Sequence, residues 1–161
     1  RKKDLYFQPP LIFQMETLSY FYFAYGSNLN CDQMKCRCPG AQFLGRGILP
    51  GYRFIIYSRG YASVVKDAEA TVWGGIWKIS HSHLVTLDNY EGISSKCYYR
   101  ETIPVNLADK AQGMMNCEIY FGADSIEGVS HPGYMKIVIQ GALDCGLPKD
   151  YIKKRLDFWI L

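Results

Sequence analysis

The chain has 161 residues, of which 48% are hydrophobic and 20% charged, a composition that predicts one domain with a sizeable core and excludes general disorder. It carries 18 Lys and Arg against 15 Asp and Glu, a net charge of +3 without a long basic run, so we expect no nucleic-acid partner. No stretch approaches the roughly 18 uninterrupted apolar residues of a membrane span, so we expect no membrane partner either.

The first 14 residues differ in character from the rest. A basic start followed by apolar residues imitates a signal peptide, but Gln8-Pro9-Pro10 interrupts the apolar run and no small-residue cleavage site follows. Leu5-Tyr6-Phe7-Gln8 resembles the core of an engineered protease-recognition tag, and Met15 fits a native start. We interpret residues 1–16 as an N-terminal extension, either a tag or disordered, and residues 17–161 as a single domain.

The first predicted elements are a strand and a short helix. An apolar, aromatic run from Leu18 to Ala24 predicts a buried strand that stops at the loop Tyr25-Gly26-Ser27-Asn28. A helix is expected from Asn30 to about Cys36, with Asn28 or Asn30 as its N-cap. Pro39-Gly40 ends it.

Short strands dominate the middle of the chain. Residues 41–49, 52–57 and 62–66 are predicted strands, with Pro50-Gly51 between the first two and a hairpin turn at Ser58-Arg59-Gly60. Residues 72–79 form another strand, in which Gly74-Gly75 implies a bulge or a close backbone approach.

Helices and a strand pair complete the pattern. A helix over 83–90 is capped by Ser80 or Ser82, and residues 98–107 and 114–121 pair as a hairpin. A helix over 132–145 is followed by an amphipathic helix from Pro148, with Ile152, Leu156 and Trp159 inward. Helices inserted among short strands indicate an α+β fold, a curled mixed sheet or barrel with helices packed outside.

Cysteine and histidine positions do not favour a metal site. Cys31-x4-Cys36-x-Cys38 lacks a CxxC pair and a nearby His, so we expect reduced thiols in a cytoplasmic protein and no metal or other cofactor. His81-x-His83 lies at a helix start among serines and is more simply solvated, and His131 is more simply structural.

The loop Tyr25-Gly26-Ser27-Asn28 is the first candidate site. A strand that ends in a glycine loop and enters a helix points backbone N–H groups outward, and such a nest holds an anion or a developing oxyanion. Gly26 lets a ligand approach the backbone, while Ser27 and Asn28 add polar side chains. The alternative is an ordinary strand-to-helix turn.

Glu91 is the second candidate. It follows an apolar helical face and stands near Tyr90 and Tyr98, where partial desolvation raises a carboxyl pKa toward values useful for proton transfer. The alternative is a solvated acid at a helix end.

Several blocks match one known family in order and spacing. They are Phe23-Ala24-Tyr25-Gly26-Ser27-Asn28-Leu29, Arg37-Cys38-Pro39-Gly40-Ala41, Val72-Trp73-Gly74-Gly75-Ile76-Trp77-Lys78, Leu87-Asp88-Asn89-Tyr90-Glu91-Gly92, Tyr98, and the helical segments 134–142 and 141–148. Together, over about residues 18–156, they resemble the gamma-glutamylcyclotransferase family.

The resemblance implies a small mixed β-barrel with flanking helices and an activity on gamma-glutamyl compounds. In that reaction the α-amino group of the substrate attacks its own γ-amide carbonyl, which releases 5-oxoproline and an amine or amino acid without a metal or nucleotide. The resemblance assigns Glu91 as the acid/base. The implied substrate-binding residues are Tyr25, Gly26, Ser27, Asn28, Leu29, Tyr98 and Tyr134.

The resemblance also bears on the substrate and on assembly. Asn28 favours the branch acting on gamma-glutamyl amino acids, because the glutathione-specific branch has Leu at that position and the gamma-glutamylamine branch has Thr in the loop. A small-molecule gamma-glutamyl substrate is the expected partner, and a homodimer is an open expectation since dimers occur in the family. Two alternatives remain: a related cyclotransferase acting on another gamma-glutamyl amide, and a non-catalytic metabolite-binding module of the same fold.

Overall fold

The structure is a computed structural model that describes residues 10–11, 18–111 and 113–160. The predicted N-terminal extension, including Met15, lies outside the described residues except for Pro10 and Leu11. Within the described part of the chain, no helix is long and apolar enough to cross a membrane.

The strands close into a mixed barrel with helices around it, which confirms the predicted α+β fold. In chain order the elements are β1 Ser19–Ala24, a 3-10 turn Ser27–Leu29, α1 Cys31–Arg37, β2 Gln42–Ile56, β3 Ala62–Ser80, α2 His81–Tyr90, β4 Tyr98–Leu107, β5 Met114–Gly122, α3 Tyr134–Asp144 and a C-terminal helical segment Lys149–Trp159. The strand order is β1-β3-β2-β4-β5. Neighbouring strands run antiparallel except β1 and β5, which close the barrel in parallel with Tyr22 opposite Glu118.

The middle strands are longer than predicted. The expected strands 41–49 and 52–57 form one strand, β2, and the expected strands 62–66 and 72–79 form β3. Pro50-Gly51 does not end a strand, because the β2–β3 pairing continues past it with a register shift between Pro50 and Tyr52. Between the Pro50–Thr71 and Tyr52–Lys66 pairs, one residue of β2 stands against four residues of β3, and this irregular bulge bends the ladder before the pairing resumes. The turn predicted at residues 58–60 is present, with Gly60 at φ +85°.

Both faces of β1 are buried, since alternate side chains enter different apolar clusters. Phe23 packs in a cluster that includes Val138 of α3. Its neighbour Tyr22 packs in a second cluster, with Leu84 and Leu87 of α2. The turn that leaves β1 packs against α3 and leads directly into α1.

Helix caps resolve the alternatives left by the sequence. Asn30, and not Asn28, caps α1 by accepting a hydrogen bond from the Gln33 amide at 3.1 Å. Ser80, and not Ser82, caps α2 in a reciprocal capping box with His83. His83 also contacts the Pro39 carbonyl oxygen at 2.8 Å through Nε2. His83 is thus partly exposed, and its ring also has a structural role in the capping box.

The last two helices also differ from prediction. α3 begins at Tyr134, two residues after the expected start at Pro132. The segment after Pro148 is one α-helical turn, then a π-helical stretch and a 3-10 turn. Ile152 and Leu156 are buried as expected, whereas Trp159 is partly exposed.

Candidate active site

One cavity of about 580 Å³ collects the candidate residues. It lies at the end of the barrel where β1 and β5 finish and β4 begins. Of the predicted site residues, it is lined by Tyr25, Gly26, Ser27, Asn28, Glu91, Tyr98 and Tyr134. Residues that sequence reasoning did not assign to the site also line it, among them Tyr22, Gln33, Arg37, Tyr57, Arg59 and Tyr120.

Leu29 is the predicted site residue that the cavity does not include. Its side chain is fully buried in the same core cluster as Phe23, so its assignment to substrate binding is corrected to a packing role. α3 approaches this turn so closely that a Cβ on Gly141 would lie 2.4 Å from the Asn30 nitrogen. The packing of Leu29 and the close approach of Gly141 thus determine how near the loop lies to the core and to α3.

Gly26 is required by the closeness of the cavity wall. Its φ is −114°, so the position does not depend on a left-handed backbone. An added Cβ would lie 2.9 Å from the Ala62 Cβ and 3.2 Å from the Tyr134 hydroxyl oxygen. A side chain here would push the facing wall away from the loop.

The Asn28 side chain forms hydrogen bonds with three other side chains that line the cavity. It is buried, and its Nδ2 donates to the Tyr22 hydroxyl at 3.0 Å. Its Oδ1 accepts from Gln33 Nε2 at 2.9 Å and from Arg37 Nη1 at 3.0 Å. These bonds occupy both acceptor positions of Oδ1 and one N–H of Nδ2, so Asn28 holds Tyr22, Gln33 and Arg37 in place.

Glu91 is held at the end of α2, where its amide donates to the Leu87 carbonyl at 2.9 Å. The next residue, Gly92, turns the chain with φ +64°. Burial raises the pKa of the Glu91 carboxyl to about 7, and the nearby Arg37 guanidinium opposes that rise. None of the ion pairs among the described residues includes Glu91. This environment does not fit a solvated acid at a helix end.

Glu91 faces a wall of tyrosine hydroxyls. Its charge raises the pKa of each of these phenols: Tyr22, Tyr25, Tyr57, Tyr98 and Tyr134. Burial is the larger cause of the raised pKa in every case. The phenols are therefore neutral near pH 7, and each has one proton to donate.

Three of these protons are already committed to backbone carbonyls. Tyr25 donates to the Tyr120 carbonyl. Tyr98 donates to the Ala62 carbonyl at 2.6 Å, and Tyr57 donates to the Cys97 carbonyl at 2.9 Å. Tyr25 and Tyr98, which the family resemblance implies as substrate-binding residues, therefore present hydroxyl oxygens that can accept hydrogen bonds from a ligand.

Tyr134 has the opposite arrangement. Its hydroxyl oxygen accepts from the Ala62 amide at 3.2 Å, and hydrogen bonds from the backbone and side chain of Ser27 lower its pKa. Burial outweighs these contacts and raises the pKa of Tyr134 to about 12. The hydroxyl proton of Tyr134 has no acceptor among the described residues. The same is true of Tyr22, whose oxygen accepts from Asn28. Tyr134 can therefore donate into the cavity beside the 25–28 loop.

No group of His, Cys, Asp and Glu suited to holding a metal occurs within residues 10–11, 18–111 and 113–160. All six cysteines are free thiols. His131, as expected, has a structural contact: its Nε2 lies 2.9 Å from the Arg59 carbonyl oxygen.

Arg37 and Arg59 are the charged residues that sequence reasoning left out of the site. Arg37 had a signal, since it belongs to the Arg-x-Pro-x-Ala block. Arg59 had no such signal. The turn that carries it, within residues 57–62, is distant in sequence from the other segments that line the cavity.

Comparison with known proteins gives one consistent set of relatives. The sequence profile of the AIG2-like family matches residues 71–155. The human gamma-glutamylcyclotransferase is 32% identical over 146 residues, 84% of this chain and 77% of the human protein. The bovine gamma-glutamylcyclotransferase is 30% identical over the same shares. A solved gamma-glutamyl cyclotransferase structure has a TM-score of 0.78 at 29% identity, covering 85% of this chain and 86% of its own.

Proposed function

This chain belongs to the AIG2-like, gamma-glutamylcyclotransferase family, and on that premise we propose that it converts gamma-glutamyl amino acids into 5-oxoproline and the free amino acid. The observation that carries the proposal is the partly buried Glu91 carboxyl, which lines a cavity with neutral phenols and whose pKa desolvation raises to about 7. A group with this pKa gains and loses protons readily near neutral pH.

The reaction moves two protons from the α-nitrogen of the substrate to the leaving nitrogen. Glu91 takes the first proton from the α-ammonium, and the freed amine attacks the γ-carbonyl carbon. The ring C–N bond forms while the carbonyl electron pair moves to oxygen. Protonated Glu91 then gives its proton to the leaving nitrogen, and the oxyanion re-forms the C=O bond as the old C–N bond breaks and its electron pair stays with that nitrogen. Transfer of the second proton along the same route yields the lactam and the product ammonium.

Tyr134 is the proposed donor to the oxyanion. Its proton is uncommitted, and the Ala62 amide at 3.2 Å and Ser27 bond to its oxygen. Those bonds polarise the O–H, because hydrogen bonds accepted by a hydroxyl strengthen the one it donates. One such donor aimed at the developing charge typically contributes about 3 kcal/mol.

Tyr25, Tyr57 and Tyr98 suit the α-ammonium. Their protons point to carbonyls, and their oxygens are left as acceptors next to the Glu91 carboxylate. An ammonium group has three donors and no acceptor. It is therefore matched by this part of the wall and directed toward the base.

The remaining work is conformational. The attacking and attacked groups belong to one substrate molecule, so the cavity must hold the glutamyl chain folded into a near-ring geometry. Gly26 keeps the wall at Ala62 and Tyr134 close enough to the loop to enforce that fold.

The test is 5-oxoproline release from a panel of gamma-glutamyl dipeptides and gamma-glutamyl amides. We expect turnover of the dipeptides, and its loss in Glu91→Gln. Glu69→Gln is the matched control, since Glu69 is an exposed acid outside the cavity. Turnover of simple amides alone would favour the related cyclotransferase. Binding without any 5-oxoproline would favour the non-catalytic module.

A further inference from the structure

Two guanidinium groups line the cavity without a carboxylate partner among the described residues. Arg46, Arg53 and Arg100 each form ion pairs elsewhere on the protein. Arg37 and Arg59 line the cavity and belong to none of these pairs. An unpaired guanidinium in a pocket is a ready partner for a carboxylate, which it binds with two parallel hydrogen bonds.

Arg37 lies at the reacting end of the cavity. Its Nη1 is bonded to Asn28 Oδ1 at 3.0 Å, and its guanidinium carbon is 4.2 Å from the centroid of the Tyr90 ring. Its charge acts on the Glu91 carboxyl. Arg37 therefore belongs with the base and the 25–28 loop.

Arg59 is an exposed residue that lines the cavity on the turn next to Tyr57. Its Nη1 donates to Cys97 Sγ at 3.3 Å, a weak acceptor, and Arg59 forms no ion pair among the described residues. The Arg59 charge helps to lower the pKa of the Asp124 carboxyl, but the oxygens of Asp124 accept hydrogen bonds from the Ser58 hydroxyl at 2.5 Å and the Ile126 amide at 3.0 Å and form no ion pair with Arg59. The remaining donors of Arg59 have no acceptor among the described residues.

The turn that carries Arg59 is rigidly held. The Gly60 amide donates to the Tyr57 carbonyl at 2.8 Å, and the His131 amide donates to the Gly60 carbonyl at 3.1 Å. The His131 ring contacts the Arg59 carbonyl oxygen and packs on Tyr61 with ring centroids 4.5 Å apart. A fixed backbone reduces the entropy lost when the side chain binds a ligand.

The charges of the cavity match one substrate class. The lining contains two guanidinium groups and one carboxylate, that of Glu91. A gamma-glutamyl amino acid carries two carboxylates and one ammonium, whereas a gamma-glutamyl amine carries only one carboxylate. Resting on the proposed function, we propose that Arg59 binds the α-carboxylate of the leaving amino acid and so selects gamma-glutamyl amino acids over gamma-glutamyl amines.

The test compares three substrates: gamma-glutamyl-alanine, gamma-glutamyl-alaninamide and gamma-glutamyl-ethylamine. We expect Arg59→Gln to lower kcat/KM for gamma-glutamyl-alanine by about 10–100-fold, mostly through KM, as for loss of a charge-assisted hydrogen bond. The other two substrates lack the carboxylate, so their kcat/KM should change by less than about threefold. Arg59→Lys keeps the charge and should retain part of the preference. Arg155→Gln removes the same charge outside the cavity and should change nothing.

The outcomes separate this inference from the proposed function. An equal loss on all three substrates, or no loss on gamma-glutamyl-alanine, would overturn the role of Arg59 and leave the cyclotransferase activity intact. Absence of 5-oxoproline from every substrate would instead overturn the proposed function. In that case calorimetric Kd values for the alanine and alaninamide compounds still decide the matter. The wild type must bind the alanine compound more tightly than the alaninamide compound, and Arg59→Gln must abolish that preference. A wild type that shows no preference, or that binds neither compound, refutes the inference.

Discussion

Glu91→Gln should separate stability from catalysis in one variant. Glutamine keeps the size of the side chain and one carbonyl oxygen, but it can neither accept a proton nor carry a charge. In the wild type, burial raises the pKa of Glu91 from its ordinary value of 4.5 to about 7. The same burial that makes the carboxyl a suitable base therefore penalises its ionised form in the folded state.

The size of this destabilisation, and its dependence on pH, follow from the raised pKa of Glu91. Below pH 4.5 the folded and unfolded chains both hold the proton, and burial has no ionic cost. As pH rises toward 7 the unfolded chain has lost a proton that the folded chain retains, so the free energy of unfolding decreases. At 1.36 kcal/mol per unit of pKa, the loss above pH 7 is at most about 3 kcal/mol. The Glu91→Gln variant does not lose this stability, because glutamine does not ionise.

Two assays read the effects separately. Urea unfolding should show Glu91→Gln equal to wild type near pH 4 and up to about 3 kcal/mol more stable near pH 8. Turnover to 5-oxoproline should fall at least about 10³-fold, at the upper range for a general base. In the wild type, kcat/KM should decrease as pH falls below about 7, where the carboxyl is protonated.

The controls and the refuting results are specific. Glu69→Gln should alter neither stability nor turnover, because Glu69 is exposed. Near-normal turnover in Glu91→Gln would remove Glu91 from the mechanism and revive the non-catalytic binding module. If the difference in unfolding free energy between Glu91→Gln and the wild type were the same at pH 4 and pH 8, Glu91 would not be desolvated in the folded protein.

Tyr134→Phe removes the uncommitted O–H donor, so kcat for 5-oxoproline release should fall about 10²–10³-fold with little change in KM, while Tyr99→Phe outside the cavity should be neutral. A loss confined to KM would contradict the oxyanion role. Arg37→Met removes the charge that holds the pKa of Glu91 down, so the acidic limb of the pH–rate profile should move to higher pH. An unmoved limb would refute that coupling. Gly26→Ala forces the facing wall to shift, so kcat/KM should drop at least about 10-fold and unfolding free energy by about 1–3 kcal/mol. Unchanged values would mean that the wall yields freely.

Local sequence determined most of the architecture. Short apolar segments bounded by glycine and proline marked the strands, and the strand-to-helix loop at residues 25–28 lies where the pattern predicted it. The Asn30 and Ser80 caps were among the predicted alternatives. Such features depend on neighbours within a few residues, so periodicity and capping chemistry suffice to predict them. The fusion of β2 at Pro50-Gly51 was not predicted, because a proline-glycine pair has the same local signature in a turn and in a bulge.

The chemistry of the cavity was decided by tertiary structure. Glu91 could be proposed from its place after an apolar helix, but its pKa depends on burial beneath segments distant in sequence. Whether a tyrosine donates or accepts depends on its long-range partner, which is a carbonyl for Tyr98 and an amide for Tyr134. Two other positions show the same dependence: Leu29, a residue of the loop motif, lies in the core, and Arg59, a turn residue, lines the cavity. Burial and hydrogen-bond direction are properties of the assembled barrel, since they arise from groups that meet only when the chain is folded.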